Sequence, residues 1–280
     1  MENNTSVEMI EHPRGPIDYE ETGTGPTVVL VPGSCSTGAA WRPVISAFGD
    51  GFRCVTTSLP GYGKTAERRT REDASISHVV EVVEAVIARA GGPVHLVGHS
   101  FGGLVGLVVA LRRKSPLVSL TIVEAPAVEF LRDRGETQHY ETFRGMTQRY
   151  FAALEGGNKE AIAEMIDFYG GAGTFASWPP RVRAYAVETT PGNVLDWASA
   201  YGHPIKAANV ATVSLPALVM TGTKSHPAAR RANELLAETL PACEFRLLEG
   251  AAHFMIATHA NEVGRLVASH VRRVESETGR

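Results

Sequence analysis

The chain has 280 residues, 44% of them hydrophobic and 20% charged, enough apolar material for one large globular domain carrying an insertion or for two small ones. Its 27 Lys and Arg against 30 Asp and Glu leave a formal charge of -3, without the basic face that a nucleic-acid partner requires. The longest apolar run, Leu104 to Leu111, falls far short of the roughly 20 residues that cross a bilayer, so no membrane partner is expected.

Met1 to Thr5 show neither the basic n-region nor the apolar h-region of a secretory signal. Cys35, Cys54 and Cys243 are an odd number without metal-ligand spacing, each read as a small buried apolar residue, and a cytoplasmic location is expected.

In chain order, Thr27 to Val31 is a continuous apolar run closed by Pro32-Gly33, as expected of a strand buried on both faces. Ser75 to Ala90 places Ile76, Val79, Val80, Val83, Val86 and Ile87 on one helical stripe. A second buried strand, Val94 to Val97, leads through Gly98 to an apolar helix, Leu104 to Leu111, and then to a strand, Ser119 to Glu124. Alternating strands and helices predict a parallel sheet with helices on both faces. The alternation resumes with a strand at Leu215 to Met220, a helix at 228–238, a strand at 244–248, and a last helix burying Val263, Leu266, Val267, Val271 and Val274.

Between these halves, residues 128–205 read as helices at about 138–154, 158–168, 179–189 and 193–201, which predicts an α/β core of 1–127 and 206–280 with a helical insertion. The insertion holds 12 of the chain's 20 aromatic residues. Either they form the core of a small helical layer, or some, with Trp178 and Trp197 as candidates, line an apolar pocket over the sheet.

Gly98-His99-Ser100-Phe101-Gly102-Gly103 sits between a buried strand and a buried helix, the context of a G-x-S-x-G nucleophile elbow. Such a turn strains the serine backbone, is tolerated because Gly98 and Gly102 have no side chains, and aims the Phe101 amide at the reacting centre. A serine needs a base. His253 follows the strand at 244–248 and the turn Glu249 to Ala252, whereas His95 lies in a strand and His270 on the last helix. His99 adjoins the serine but points elsewhere as a base, and is a candidate substrate-lining residue.

These motifs, with Val28 to Ser34, Trp41, Ser58 to Gly63 and Gly250 to Phe254, resemble a serine hydrolase of the α/β-hydrolase fold with a helical cap, over nearly the whole chain. Such proteins usually carry His-Gly where Pro32-Gly33 stands and Asp where Ser58 stands. The resemblance implies that the Ser34 amide joins the Phe101 amide in an oxyanion hole. The Ser34 hydroxyl and Cys35 thiol either face the substrate or act as buried spacers.

Most such hydrolases place an aspartate in a Gly-x-x-Asp stretch after the strand at Leu215 to Met220, where this chain has Gly222-Thr223-Lys224-Ser225. Some take the acid from the end of the preceding strand, here Glu124; the alternatives are a carboxylate such as Asp196 or Glu249, or no acid at all. Gly61 to Thr65 imitates a phosphate-binding loop but lacks its first glycine, and no histidine or cysteine spacing suits a metal.

The chain is thus expected to be a cofactor-free, metal-free serine esterase acting on small to medium apolar esters, with Ser100, His253 and Glu124 as its triad. A lactonase, a carbon–carbon bond hydrolase and a weakly catalytic small-ligand binding protein are the alternatives.

Overall fold

The computed structural model describes residues 8–279; Met1 to Thr5, discussed above, lie outside the described residues. Eight strands form one sheet in the order β1-β2-β4-β3-β5-β6-β7-β8. They are β1 (Glu8–Ile10), β2 (Ile17–Gly23), β3 (Thr27–Val31), β4 (Arg53–Thr56), β5 (Val94–His99), β6 (Leu117–Val123), β7 (Ala217–Gly222) and β8 (Cys243–Leu248). β2 pairs antiparallel with β1 and β4, and every other pairing is parallel.

The helices, in order, are α1 (Arg42–Ser46), α2 (Ile76–Ala90), α3 (Phe101–Arg112), α4 (Val128–Asp133), α5 (Thr137–Glu155), α6 (Ile162–Gly170), α7 (Thr174–Ser177), α8 (Pro180–Glu188), α9 (Thr190–Tyr201), α10 (Ala207–Val210), α11 (Pro227–Thr239), α12 (Met255–Thr258) and α13 (Ala260–Thr278). The core has two layers. Val28, Leu30, Val97, Leu218 and Met220 pack with residues of α1 and α13. Val29, Val31, Leu96, Ile122 and Val219 pack with α2, α3, α11 and the helices between β6 and β7. Successive residues of one strand serve opposite layers, which is why these strands read as unbroken apolar runs.

Of the predicted boundaries that move, three do so for local reasons. β7 begins at Ala217 rather than Leu215, because Pro216 has no amide to donate to a ladder. α6 begins at Ile162 rather than near 158, because the Asn158 side chain accepts from the Glu160 amide at 3.0 Å and turns the chain locally. α9 begins at Thr190 rather than 193, with Pro191 in its first turn. Strands β1, β2 and β4 and helices α1, α4, α7, α10 and α12 add to the predicted elements; all are short or irregularly patterned, apart from the seven-residue β2, which buries Ile17 and Tyr19 on alternate positions.

The sharp turn from β5 into α3 needs its glycines. A Cβ on Gly98 would stand 2.3 Å from the Gly102 carbonyl oxygen, and one on Gly102 would stand 2.4 Å from that of Pro32. We expect Gly98→Ala to destabilise the fold by about 2 kcal/mol or more through overpacking. Gly145→Ala, on α5, where an added Cβ would make only an ordinary contact with Arg149 Nη1 at 3.5 Å, should stabilise by about 0.5–1 kcal/mol. Urea denaturation of the two variants checks this; equal midpoints would contradict it.

Candidate active site

Three strand ends converge. Ser100 is the single residue between β5 and α3, at φ 52 and ψ -126, and its amide donates to the Val123 carbonyl at 2.9 Å. Glu124, just past β6, is also at positive φ (49), and its amide donates to the Met220 carbonyl at 2.9 Å. Asn233 of α11 holds the next residue, accepting from the Ala125 amide at 2.9 Å and donating to the Ala125 carbonyl at 3.0 Å. Left-handed backbone at a non-glycine residue costs on the order of 1–3 kcal/mol and persists only where surrounding structure enforces it.

The loop after β8 brings in His253. Its Nε2 lies 2.9 Å from Ser100 Oγ and its Nδ1 lies 2.9 Å from Glu124 Oε1. Glu124 is fully buried, and its other oxygen, Oε2, accepts from Thr221 Oγ1 at 2.6 Å and from the Ser225 hydroxyl. Burial alone would raise the Glu124 pKa, but the hydrogen bonds from His253, Ser225 and Thr221 outweigh it and hold the carboxyl below its usual range. The carboxylate is therefore ionised and pinned, with His253 Nδ1 as donor. The loop after β7 also braces the histidine loop: the Lys224 amide donates to Ala251 at 2.8 Å and the Gly250 amide to Thr223 Oγ1 at 2.8 Å.

Ser100 and His253 open onto a cavity of about 410 Å³ lined also by Ser34, Cys35, His99, Phe101, Trp178 and Trp197. Among the described residues, neither the Ser34 nor the Phe101 amide donates a hydrogen bond. Phe101 begins α3, where the helix dipole concentrates positive charge. The insertion supplies the opposite wall through Met165, Ile166 and Tyr169 of α6 and Asn193, Asp196 and Trp197 of α9.

Residues 28–266 match the alpha/beta hydrolase family. This chain belongs to that family. A pimeloyl-[acyl-carrier protein] methyl ester esterase of Aeromonas hydrophila is 25% identical to this hydrolase over 260 residues, 91% of this chain and 99% of the relative. An enzyme of the same name from Vibrio cholerae is 35% identical over 112 residues, but the match spans only 40% of this chain and 41% of that one. A thermophilic esterase from Thermogutta terrifontis has the same fold, with a TM-score of 0.74 at 21% identity, covering 96% of this chain and 99% of the other.

In this hydrolase Asp196 and Glu249, the alternative acids, do not meet His253. Glu249 is exposed, and Asp196 lies on another wall, where its Oδ2 accepts from Ser34 Oγ at 2.5 Å and Tyr62 OH at 2.6 Å. Arg69, its side chain fully buried, stands 2.8 Å from Asp196 Oδ1. Cys35 lines the cavity as a free thiol, its pKa pushed up to about 12 chiefly by desolvation. Trp178 packs edge-on against Phe254, and Trp197 stacks on Tyr201 while lining the cavity, so the aromatic residues serve both core and pocket. Sequence reasoning missed Thr221, Arg69, Asn193 and Tyr169, whose ring stacks on His253 at 3.9 Å. No local motif marks them: Thr221, Arg69 and Tyr169 act through partners distant in sequence, and Asn193 is distinguished only by facing the cavity. Among the described residues no three His, Cys, Asp or Glu side chains gather into a metal-ligating group, and no helix is long and apolar enough to cross a membrane.

His99 is buried and its Nε2 donates to the His253 carbonyl at 2.9 Å, which fixes the neutral tautomer with the proton on Nε2. Burial, then the neighbouring His253, lowers its pKa to about 3. Between pH 6.5 and 3 the unfolded chain binds a proton that the folded chain refuses, so stability falls on acidification, by up to about 1.4 kcal/mol per pH unit from this group. His270, lowered to about 4 chiefly by burial, acts in the same sense. We expect His99→Gln to flatten the stability profile between pH 6.5 and 4.5 in denaturant titrations; an unchanged slope would contradict this assignment.

Proposed function

We propose that this hydrolase cleaves carboxylic esters of small to medium apolar substrates through an acyl-enzyme on Ser100. The observation that carries the reading is the unbroken hydrogen-bonded line from Ser100 Oγ through His253 to Glu124, ending at the cavity floor. His253 Nε2 takes the Ser100 proton as Oγ bonds to the ester carbonyl carbon. The Ser34 and Phe101 amides hold the resulting oxyanion. As the ester C–O bond breaks, His253 returns the proton to the leaving alcohol. Water then attacks the acyl carbon by the same route, His253 taking its proton and passing it to Ser100, and the carboxylic acid departs. Glu124 remains ionised throughout, orienting the imidazole and stabilising its protonated form.

The substrate class rests on the cavity. Its volume suits a small molecule, its walls include Met165, Ile166, Trp178, Trp197 and Phe254, and among the described residues no Lys or Arg lines it to attract an anionic substrate. Residues 128–205 act as a cap over the core of 1–127 and 206–280, shaping this pocket while the reacting groups sit on the sheet. The methyl ester esterase names of the relatives are in keeping with ester chemistry.

Turnover of p-nitrophenyl esters of graded acyl length tests the proposal. Activity on short to medium chains is expected, with Ser100→Ala costing about 10⁶ in turnover by comparison with measured triads. Glu124→Gln keeps the side-chain volume and removes the charge, and should cost on the order of 10⁴. Full activity in Ser100→Ala would refute the nucleophile, and a Glu124→Gln enzyme within about tenfold of the parent, an ordinary supporting-shell loss, would refute the acid.

A further inference from the structure

Two uncharged polar side chains of the insertion line the cavity without a hydrogen-bond partner among the described residues. Asn193, in the first turn of α9, is 2% exposed, and its Oδ1 is buried without a hydrogen-bond partner among the described residues. Tyr169, near the end of α6, is 3% exposed, and its hydroxyl is likewise buried and unpartnered. The Tyr169 ring lies nearly flat on the His253 imidazole, with 25° between the planes, so this side chain stands over the reacting centre. Buried polar groups in a folded protein nearly always have partners, because leaving one unpaired costs more than the bond itself contributes. Neither side chain has a role in the relay of protons.

The chemistry of the two groups restricts what can satisfy them. Burial, and then the negative charge of Glu124, raises the Tyr169 phenol well above its ordinary range, so it offers an O–H donor. The Asn193 amide offers a donor or an acceptor and carries no charge. Asp196, three residues further along α9 on the same wall, accepts from Ser34 and Tyr62 at Oδ2, and its Oδ1, buried without a hydrogen bond of its own among the described residues, is ion-paired with Arg69 at 2.8 Å. With the Asp196 charge paired to Arg69, the groups of the wall left without any partner, the Asn193 amide and the Tyr169 hydroxyl, are neutral.

We infer that the wall formed by α6 and α9 is a polar subsite for a neutral oxygen function, a hydroxyl or keto group, which the ester carries in addition to its reacting carbonyl. The inference rests on the ester-cleaving reading and names its substrate more narrowly. A plain alkyl ester of equal length fills the same space but leaves Asn193 and Tyr169 unpaired. Sites built to hydrogen-bond a substrate reject analogues lacking that group far more strongly than apolar pockets reject a changed methylene.

Two matched pairs test this with the full-length protein. Methyl hexanoate against methyl 5-oxohexanoate probes the acyl side, and propyl hexanoate against 2-hydroxyethyl hexanoate probes the alcohol side. In one pair the oxygenated ester should exceed its plain partner in kcat/KM by about tenfold or more. Asn193→Leu or Tyr169→Phe should lower that ratio several-fold. The ratio in the unmodified enzyme is decisive even if Asn193→Leu fails to fold. No preference in either pair, or a preference that neither variant lowers, overturns the subsite. Absence of turnover on all four esters would instead refute the ester reading on which it rests.

Discussion

An ionised carboxylate held out of water at the tip of β6 is the constraint around which this molecule is organised. A buried charge is costly unless it is paired and hydrogen-bonded, and Glu124 is surrounded by donors from two different strand ends: the Thr221 and Ser225 hydroxyls at β7 and the His253 ring after β8. Its backbone is bent into a left-handed conformation, and the strain is countered by the amide bond to Met220 and by Asn233 gripping Ala125. Ser100 is strained in the same way at the end of β5, with its amide tied to Val123. The tips of β5, β6 and β7 are thus lashed to one another, and the imidazole between them can occupy one orientation.

Ser225 explains how the proposed triad acid can stand at the end of β6. Members of the family commonly place an aspartate in the stretch after β7; here that stretch carries a serine whose hydroxyl reaches the Glu124 carboxylate. The longer glutamate approaches His253 from the neighbouring strand, and the serine occupies the vacated place as a donor to it. The β7 loop keeps its second task as a brace, because Thr223 and Lys224 both bond the turn that carries His253. Hydrogen bonding to Ser225 thus makes the substitution part of the site rather than a loss from it.

The parallel half of the sheet and the three candidate triad residues are legible in the sequence because each leaves a local mark. β3, β5, β6 and β7 are buried on both faces and read as apolar runs, and Ser100 lies in a glycine turn between two such elements. β4, with Arg-Cys-Val-Thr, is too short and mixed to stand out, and β2 and β1 declare themselves only through antiparallel pairing. The polar scaffold of the pocket is invisible for a different reason. Arg69 and Asp196 are separated by more than a hundred residues, and each is explicable only once the other is in place. The aromatic residues of the insertion posed two alternatives, and the structure divides them: Tyr150 and Phe143 are buried in core packing, whereas Trp197 and Tyr169 take part in both.

The central claim, that the strained hydroxyl of Ser100 is made nucleophilic by His253 and Glu124, is tested most directly by covalent trapping. A fluorophosphonate ester reacts when a serine oxygen bonds to phosphorus, fluoride leaves, and a base takes the hydroxyl proton. Intact-mass measurement followed by peptide mapping should find one adduct per chain, on Ser100, formed in step with loss of esterase activity and slowed by orders of magnitude in Glu124→Gln. Labelling at another residue, or labelling of Ser100 at the parent rate in Glu124→Gln, would contradict the account.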